Sequence, residues 1–249
     1  PVMDCSATAL NGKIYIFGNM QAGELPVDIY DPIANTWESK SKMRNTSLAG
    51  CIPIGDKIYI IGGATLNGFY SDIDVYDIKT DTWEKKKSMT KAIAGAGVCL
   101  INGKIYIIGG FDSSFRDLST VWEYDPNDET WTQKTDMPTV REQPSVAEID
   151  GKIYIMGGWN FNVSASALDT FDIYNPLTDK WESTQKMPYK VTDHASGVVD
   201  KKIFLIGGMW ELGSATYSLV YEYNPFPQPT TSVSPKESLI GTWGSIKSG

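Results

Sequence analysis

The sequence has few of the residues on which metal and phosphate chemistry depends. Among its 249 residues there are one histidine (His194), three cysteines and three arginines. A single histidine excludes every site that needs two imidazoles, and no cysteine pair has the C-x-x-C spacing of a metal or redox site. Few arginines and a formal net charge of −8 argue against a nucleic-acid surface, which needs clustered cations. We therefore expect no metal, no cofactor and no nucleic-acid partner.

Long apolar runs are also missing. None approaches the 18 residues of a membrane span, so we expect no transmembrane segment. The chain begins at Pro1 with no signal-peptide pattern before it, which suggests a start that is processed, trimmed or incompletely known. Acceptor triplets for N-glycosylation begin at Asn45 and Asn162 and are weak signs of secretion. Three cysteines in apolar or small-residue stretches are expected to be buried free thiols: Cys5, Cys51 and Cys99.

Self-similarity is the dominant feature of the chain. The run KIYIIGG at 57–63 recurs with small changes at 13–19, 104–110, 152–158 and 202–208. Its lysines are 44, 47, 48 and 50 residues apart, the period expected for propeller blades. Each copy is followed by a tyrosine, and four copies continue with a tryptophan and then a methionine at fixed spacing. The tyrosines are Tyr30, Tyr76, Tyr124, Tyr174 and Tyr223, and the tryptophans are Trp37, Trp83, Trp131 and Trp181.

These repeats resemble kelch repeats over essentially the whole chain. The double glycine, the spaced tyrosine and tryptophan, and the MPTVR element at 137–141 carry the resemblance. It implies an all-β fold, a kelch-type β-propeller. The count of five repeats predicts five four-stranded antiparallel blades, with a fragment of a six-bladed ring as the alternative. We expect one propeller domain over 1–249, with blades at about 1–43, 44–89, 90–137, 138–187 and 188–249. The free-standing repeats look like bacterial kelch proteins, many of them exported, which implies an extracellular or cell-surface location, with the cytoplasm as alternative.

Each repeat is predicted to contain strands A to D. In the third repeat, for example, strand A is placed at 94–101 and strand B at 104–108. Strand C ends in the tyrosine, as at 73–77 in the second repeat, and we expect strand D to begin near the tryptophan. Four of the five A–B connections carry the glycine of a tight hairpin. In the fifth repeat, the segment around Trp243 matches strand D and is displaced by an insertion at 225–238 rich in Pro, Ser and Thr.

An antiparallel meander places the B–C and D–A connections on one face. The distance from the second glycine position to the tyrosine is 11, 13, 14, 16 and 15 residues, so length varies mainly in the B–C loops. Variable loops on a constant scaffold usually carry the specific contacts, which makes the B–C/D–A face the candidate binding face.

The residues directly after the glycine pair are the first candidates on this face. In kelch substrate adaptors this position often projects at the mouth of the central channel, and the resemblance implies the same here. We therefore expect Phe111 and Trp159 to be exposed aromatic platforms. The alternative is that both merely cap their loops. The candidate ligand-binding residues are Phe111, Asp112, Arg116, Gln143, Trp159, Asn160, Asn162, Asp193, Trp210 and Glu211.

The leading functional hypothesis is a non-enzymatic binding module for a protein, peptide or carbohydrate, because exposed aromatics beside a few polar groups suit such ligands. One alternative is a sugar isomerase resembling the sialic-acid mutarotases, using Glu142, Arg116 or His194. A third is a structural propeller that packs against other copies or domains. His194 aligns with small core-type residues in the other repeats, and Arg141 belongs to the repeat pattern, so we expect structural roles for both.

Overall fold

The computed structural model describes residues 4–18, 23–162, 165–209, 220–225 and 242–246; of these, only the backbone is described at 183–185 and 242–246. The chain divides into two compact units, 1–143 and 144–249. Every regular element in the described ranges is a β-strand. The same part of the chain has no helix long and apolar enough to cross a membrane.

The first unit contains three four-stranded antiparallel sheets, the first three predicted blades. Blade 1 has strands β1 (Ser6–Leu10), β2 (Lys13–Phe17), β3 (Glu24–Asp31) and β4 (Thr36–Arg44). Blade 2 has β5 (Gly50–Ile54), β6 (Lys57–Ile61), β9 (Ile73–Asp77) and β10 (Thr82–Lys86), and its B–C loop forms a small hairpin of β7 (Ala64–Thr65) and β8 (Gly68–Phe69). Blade 3 has β11 (Gly97–Ile101), β12 (Lys104–Ile108), β13 (Val121–Asp125) and β14 (Thr130–Lys134).

The second unit contains the other two blades. Blade 4 has β15 (Ser145–Ile149), β16 (Lys152–Met156), β18 (Ser166–Asn175) and β19 (Lys180–Val191), with the short β17 (Trp159–Asn160) paired to β18. Blade 5 has β20 (Ala195–Val199), β21 (Lys202–Ile206), β22 (Val220–Asn224) and β23 (Thr242–Ile246). Five four-stranded antiparallel sheets confirm the predicted all-β class and its five blades.

Two strand predictions in particular can be compared with the structure. The displaced fifth D strand is confirmed, because Tyr223 stands opposite Trp243 in the pairing of β22 with β23. The insertion itself lies almost wholly outside the described residues. The prediction that strand A spans 94–101 is wrong at its start, because β11 begins only at Gly97. Ala94 pairs instead with Phe111 in a B–C loop, and Gly95 has a left-handed backbone.

Local turn chemistry fixes the predicted A–B hairpins. Asn11 and Gly12 both have positive φ angles (50° and 77°), as a type I′ turn requires. In blade 2 only Gly55 has a positive φ, 59°, which suits the first central position of a type II′ turn. Asp200 and Lys201 adopt the I′ angles (51° and 58°) without a glycine. The tight turns therefore set the register of each A–B pair.

In blades 1, 2 and 4 the tyrosine of the repeat anchors the C–D turn. Tyr76 Oη donates to Asp81 Oδ1 (2.8 Å), and Asp81 has a left-handed φ of 55°. The equivalent bond occurs between Tyr30 and Asn35 and between Tyr174 and Asp179. In blade 3 the acceptor position holds Glu129, which instead accepts the backbone N–H of Lys87 (2.9 Å), and the buried Tyr124 hydroxyl has no partner among the described residues. One repeat therefore keeps the tyrosine without its bond.

The double glycine joins the B strand to the D–A segment. Gly109 has a φ of 64°, and a Cβ there would lie 2.5 Å from the carbonyl oxygen of Arg141. Gly110 N–H donates to that same carbonyl (2.9 Å). Any side chain at Gly109 would push this segment away. Arg141 is fully buried, as expected for a residue of the repeat pattern.

The core lies between the faces of successive sheets inside each unit. In the first unit Tyr59, Ile61 and Val75 of blade 2 pack with Ile105 and Ile107 of blade 3. Apolar side chains on both faces of a strand suit a sheet covered on each side.

The cysteines are free thiols, with Cys99 buried and Cys5 and Cys51 half-buried. The acceptor triplet at 45–47 is buried, so the folded protein has no room for a glycan on Asn45; the second triplet lies partly outside the described residues.

Candidate functional site

The starts of the A strands share one unusual backbone conformation. Asp4, Leu48, Gly95, Gln143 and Asp193 occupy the equivalent position in the five blades, and all have φ between 50° and 62°. In the first unit they are joined in series: Leu48 N–H donates to Asp4 (3.1 Å), Gly95 N–H to Leu48 (2.8 Å) and Gln143 N–H to Gly95 (2.7 Å). The backbone of Gln143 is therefore engaged in holding consecutive blades together. Its side chain is half-buried, whereas Asp193 is exposed.

In blades 2, 3 and 5 the residue after the glycine pair lies in a bridge between a B–C and a D–A connection. Phe111 and Ala94 exchange both backbone hydrogen bonds (2.9 and 3.1 Å). Ala64 pairs with Ser47 in the same way, and Met209 with Thr192. This pairing turns the Phe111 side chain inward, against Ala64 and Ala94.

The expectation that Phe111 and Trp159 are exposed is wrong, because their exposed fractions are 8% and 4%. Phe111 is held down by its bridge to Ala94, and Trp159 by its pairing with Ala167 in the blade 4 hairpin. Both aromatic rings cap their loops, which was the alternative interpretation. Neither ring presents a face to solvent that a ligand could cover.

Asp112 fixes the conformation of the blade 3 B–C loop. Its Oδ1 accepts the backbone N–H groups of Ser114 (2.8 Å) and Arg116 (3.3 Å). Its Oδ2 accepts from both Arg116 Nε (3.2 Å) and Nη2 (2.8 Å), so a single carboxylate oxygen receives both guanidinium donors. The hydrogen bond from Arg116 lowers the pKa of Asp112, and the backbone N–H bonds act in the same direction. The predicted residues Phe111, Asp112 and Arg116 are thus brought together in one closed loop.

Phe115 is the large apolar residue that this loop presents to solvent. It is 66% exposed and has a φ of 55°, a left-handed conformation that is a true outlier for a bulky residue. Phe115 N–H donates to the carbonyl of Asp112 (2.8 Å), which closes the turn around it. The backbone strain is therefore held in place by the bonds of Asp112.

This exposed ring belongs to a cluster of three phenyl rings. Phe115 stacks on Phe111 (centroids 6.2 Å apart, planes at 20°), and Phe69 of the blade 2 hairpin meets both edge-on, at 5.4 and 5.5 Å. We call Phe69, Phe111 and Phe115 the aromatic platform. Leu66 in the same blade 2 loop is 76% exposed. The B–C loops of blades 2 and 3 thus combine exposed apolar surface with the charged pair of Asp112 and Arg116.

The predicted site residues of the second unit differ in their exposure to solvent. Asn160 is buried like Trp159, whereas Asn162 is exposed and Phe161 between them is 58% exposed. Trp210 and Glu211 lie outside the described residues.

His194, predicted to be structural, places both ring nitrogens in a buried environment. Neither nitrogen has a hydrogen-bond partner among the described residues. Burial lowers the pKa of the imidazole to about 4. The ring is therefore neutral at physiological pH and poorly placed for proton transfer.

Sequence reasoning missed Leu66, Phe69 and Phe115. Counting from the glycine pair emphasised the first loop residue, whereas these three side chains lie two to five residues further along their loops. The aromatic residues in two neighbouring variable loops were a usable signal. Within the described ranges, no group of three or more His, Cys, Asp or Glu side chains could hold a metal ion.

Comparison with known proteins adds a family and a fold neighbour. The model of the Attractin/LZTR1 beta-propeller family matches residues 14–224. A solved structure titled "Structure of YjhT" superposes with a TM-score of 0.72 and 17% identity, covering 84% of this chain and 73% of that one. This likeness shows the fold alone, and together with the family match it confirms the kelch-type β-propeller.

Two curated relatives match a short stretch. The N-acetylneuraminate epimerases of Haemophilus influenzae strains PittEE and 86-028NP are each 40% identical over 78 residues, which is 26% of this chain. The matched stretch spans about a fifth (21%) of the length of those relatives.

Proposed function

We propose that this chain, which belongs to the Attractin/LZTR1 beta-propeller family, is a non-enzymatic module that binds its ligand on the aromatic platform of the B–C loop face. The observation that carries the proposal is Phe115, a phenyl ring 66% exposed to water on a loop closed by Asp112. An exposed aromatic ring on a rigid support is a favourable contact surface, because little side-chain entropy is lost when a ligand covers it.

The strained backbone at Phe115 supports a functional role. A left-handed conformation costs a residue with a side chain about 1–2 kcal/mol. Strain of this kind persists where the surrounding structure determines it, and it is found preferentially at ligand-binding sites. Here Asp112 holds the loop in this conformation through four hydrogen bonds. A glycine at 115 would relieve the strain but lose the ring.

We favour a carbohydrate over a peptide as the ligand. A phenyl ring offers an apolar face to the C–H groups of a sugar, and the partly exposed Arg116 offers donors to hydroxyl or carboxylate oxygens. The short similarity to N-acetylneuraminate epimerases makes N-acetylneuraminate, an acidic sugar, the first compound to test. An exported location, where such sugars are met, is part of the same proposal.

A sugar isomerase is the second candidate, supported by that similarity over 78 residues. The side chains weigh against it. Asp112 is held as a charged acceptor by Arg116, and the nitrogens of His194 are buried. A general base must present a free basic atom to the substrate proton, and neither residue does so. Binding without turnover is therefore the function that we propose first.

One NMR experiment distinguishes the two functions. Saturation-transfer signals report whether N-acetylneuraminate contacts the protein, and exchange spectroscopy on the same sample reports whether its anomers interconvert faster than in buffer. The methyl glycoside of the sugar, which cannot interconvert, is the matched binding control. The variants are Phe115→Ala on the platform and Phe161→Ala, an exposed phenyl ring on the blade 4 loop.

We expect saturation transfer to the sugar and its glycoside, loss of both signals in Phe115→Ala, and retention in Phe161→Ala. Anomer exchange should remain at the buffer rate. Faster exchange that depends on protein concentration would replace the binding proposal with the isomerase. Equal signals from both variants would place the ligand elsewhere, and binding of peptides but no sugars would overturn the carbohydrate assignment.

A further inference from the structure

We propose a second binding site, separate from the aromatic platform, in the cleft between blades 2 and 3, and we infer that it takes a small aromatic molecule carrying one negative charge. The cleft is a cavity of about 290 Å³ that lies between the end of blade 2 and the C and D strands of blade 3. We call it the tryptophan cleft, because Trp122 and Trp131 line it. None of its lining residues belongs to the platform.

The lining changes from apolar at the bottom to polar at the opening. Met89 and Ile93 are buried, and the two tryptophans are half-buried. Trp131 Nε1 donates to the backbone carbonyl of Lys87 (3.2 Å), which fixes the orientation of its indole ring. A deep apolar pocket with a few polar groups at its mouth is the usual form of a small-molecule site.

Lys91 supplies the charge preference. It lies exposed at the opening and is the one charged residue that lines the cleft. In the part of the chain that the structure describes, it takes part in no ion pair. An ammonium group beside an apolar pocket favours a ligand with an anionic end, because it attracts that end and repels a cationic one.

The wall also contains a hydrogen-bonding group without a partner. Thr120 Oγ1 is buried and unsatisfied among the described residues. Such a group costs free energy until a partner reaches it. A threonine side chain turns between staggered χ1 positions, so a ligand entering the cleft can satisfy this hydroxyl.

The equivalent cleft between blades 1 and 2 provides an internal comparison. It has a similar volume, about 320 Å³, but its lining is charged. Arg44 stands where the tryptophan cleft has Thr90, and Asp74 where it has Trp122. Arg44 Nε donates to Asp74 (2.7 Å), and its guanidinium lies 4.0 Å over the ring of Tyr70. The first cleft therefore contains its own ion pair, whereas the tryptophan cleft has a second tryptophan, Trp122, and a lysine that makes no ion pair with the described residues.

The volume sets the size of the ligand. An apolar cavity of about 150 Å³ holds one benzene molecule. A cavity of about 290 Å³ accordingly accommodates two fused rings. Stacking on an indole favours a flat ligand. We therefore use 2-naphthoate as the test compound and (naphthalen-2-ylmethyl)ammonium, of similar size and opposite charge, as its control.

The test is isothermal titration calorimetry of the full chain with each compound. We expect saturable binding of 2-naphthoate at a stoichiometry of one and at least tenfold weaker binding of the ammonium compound. Lys91→Gln, which removes an exposed charge that makes no ion pair with the described residues, should weaken 2-naphthoate binding at least fivefold and leave the melting temperature unchanged. The pair Thr90→Arg with Trp122→Asp, which copies the first cleft, should abolish binding. Phe115→Ala should have no effect, because it lies on the other site.

Three results would overturn the proposal. They are absence of binding at millimolar 2-naphthoate, equal affinity for the two compounds, and equal affinity of wild type and Lys91→Gln. Loss of 2-naphthoate binding in Phe115→Ala would assign the ligand to the platform instead. Failure of the sugar experiment described above leaves these expectations untouched, since the two sites share no residue.

Discussion

His194 should make the protein less stable in mild acid. Its ring lies against the glycines of the second unit: a Cβ on Gly157 would come within 3.0 Å of His194 Cε1, and one on Gly208 within 2.8 Å of its Cβ. Both ring nitrogens are buried without partners among the described residues. A charged imidazole is strongly disfavoured in such surroundings. The folded state therefore binds the proton more weakly than the unfolded chain does.

The size of the effect follows from the two pKa values. The pKa is about 4 in the folded protein, against 6.5 for an unperturbed imidazole. As the pH falls through 6.5, the unfolded state takes up the proton first, so the free energy of unfolding decreases. The loss amounts to about 2 kcal/mol between pH 7.5 and pH 5 and levels off at roughly 3 kcal/mol below pH 4. No change from this group is expected above pH 7.5.

The assay is urea unfolding of wild type and His194→Ala at pH 7.5, 6 and 5. The variant shares all carboxylates with wild type, so the difference between their pH profiles isolates the imidazole. Because the chain has a single histidine, NMR titration of its Hε1 signal measures the folded pKa directly. A pKa near 6.5, or parallel stability profiles, would refute the reasoning.

Further predictions come from repeats that differ at one position. Tyr76→Phe removes a bond to Asp81 and should lower the free energy of unfolding by about 1 kcal/mol, whereas Tyr124→Phe removes a hydroxyl without a partner and should be neutral or stabilising. Equal losses in urea unfolding would contradict this. Gly109→Ala should cost more than about 3 kcal/mol because its Cβ meets a backbone carbonyl at 2.5 Å, whereas Gly103→Ala, with nothing within 4 Å, should cost about 1 kcal/mol for its positive φ alone. Similar melting temperatures for both glycine variants would show that the close approach is unimportant.

Most of the fold could be predicted because the same strand and turn pattern recurs in each repeat. KIYII strands, hairpin turns and the Tyr-to-Trp spacing depend on local backbone chemistry, which is readable in one sequence and reinforced by five copies. The displaced strand at Thr242–Ile246 was found through this repetition. The start of strand A was not, because Ala94 leaves the sheet to pair with Phe111, and that long-range bridge leaves no local pattern.

The candidate site was only partly predictable. The loop face and the trio of Phe111, Asp112 and Arg116 were identified from loop lengths and composition. Which ring faces solvent depends on the bonds of Asp112 and on the bridge to Ala94, and these turn Phe111 inward and Phe115 outward. Sequence spacing carries no information on that choice. The tryptophan cleft could not be predicted from the sequence either, since its walls come from different blades.

The affinity of Phe115→Ala for the ligand tests the central claim most directly. An array of glycans and peptides identifies the compound that wild type binds most tightly, and its Kd is then measured for Phe115→Ala and for Phe161→Ala. We predict at least tenfold weaker binding for Phe115→Ala, corresponding to about 1.4 kcal/mol, and an unchanged Kd for Phe161→Ala. An unchanged Kd for Phe115→Ala in a fully folded variant would contradict the assignment of the platform as the binding surface.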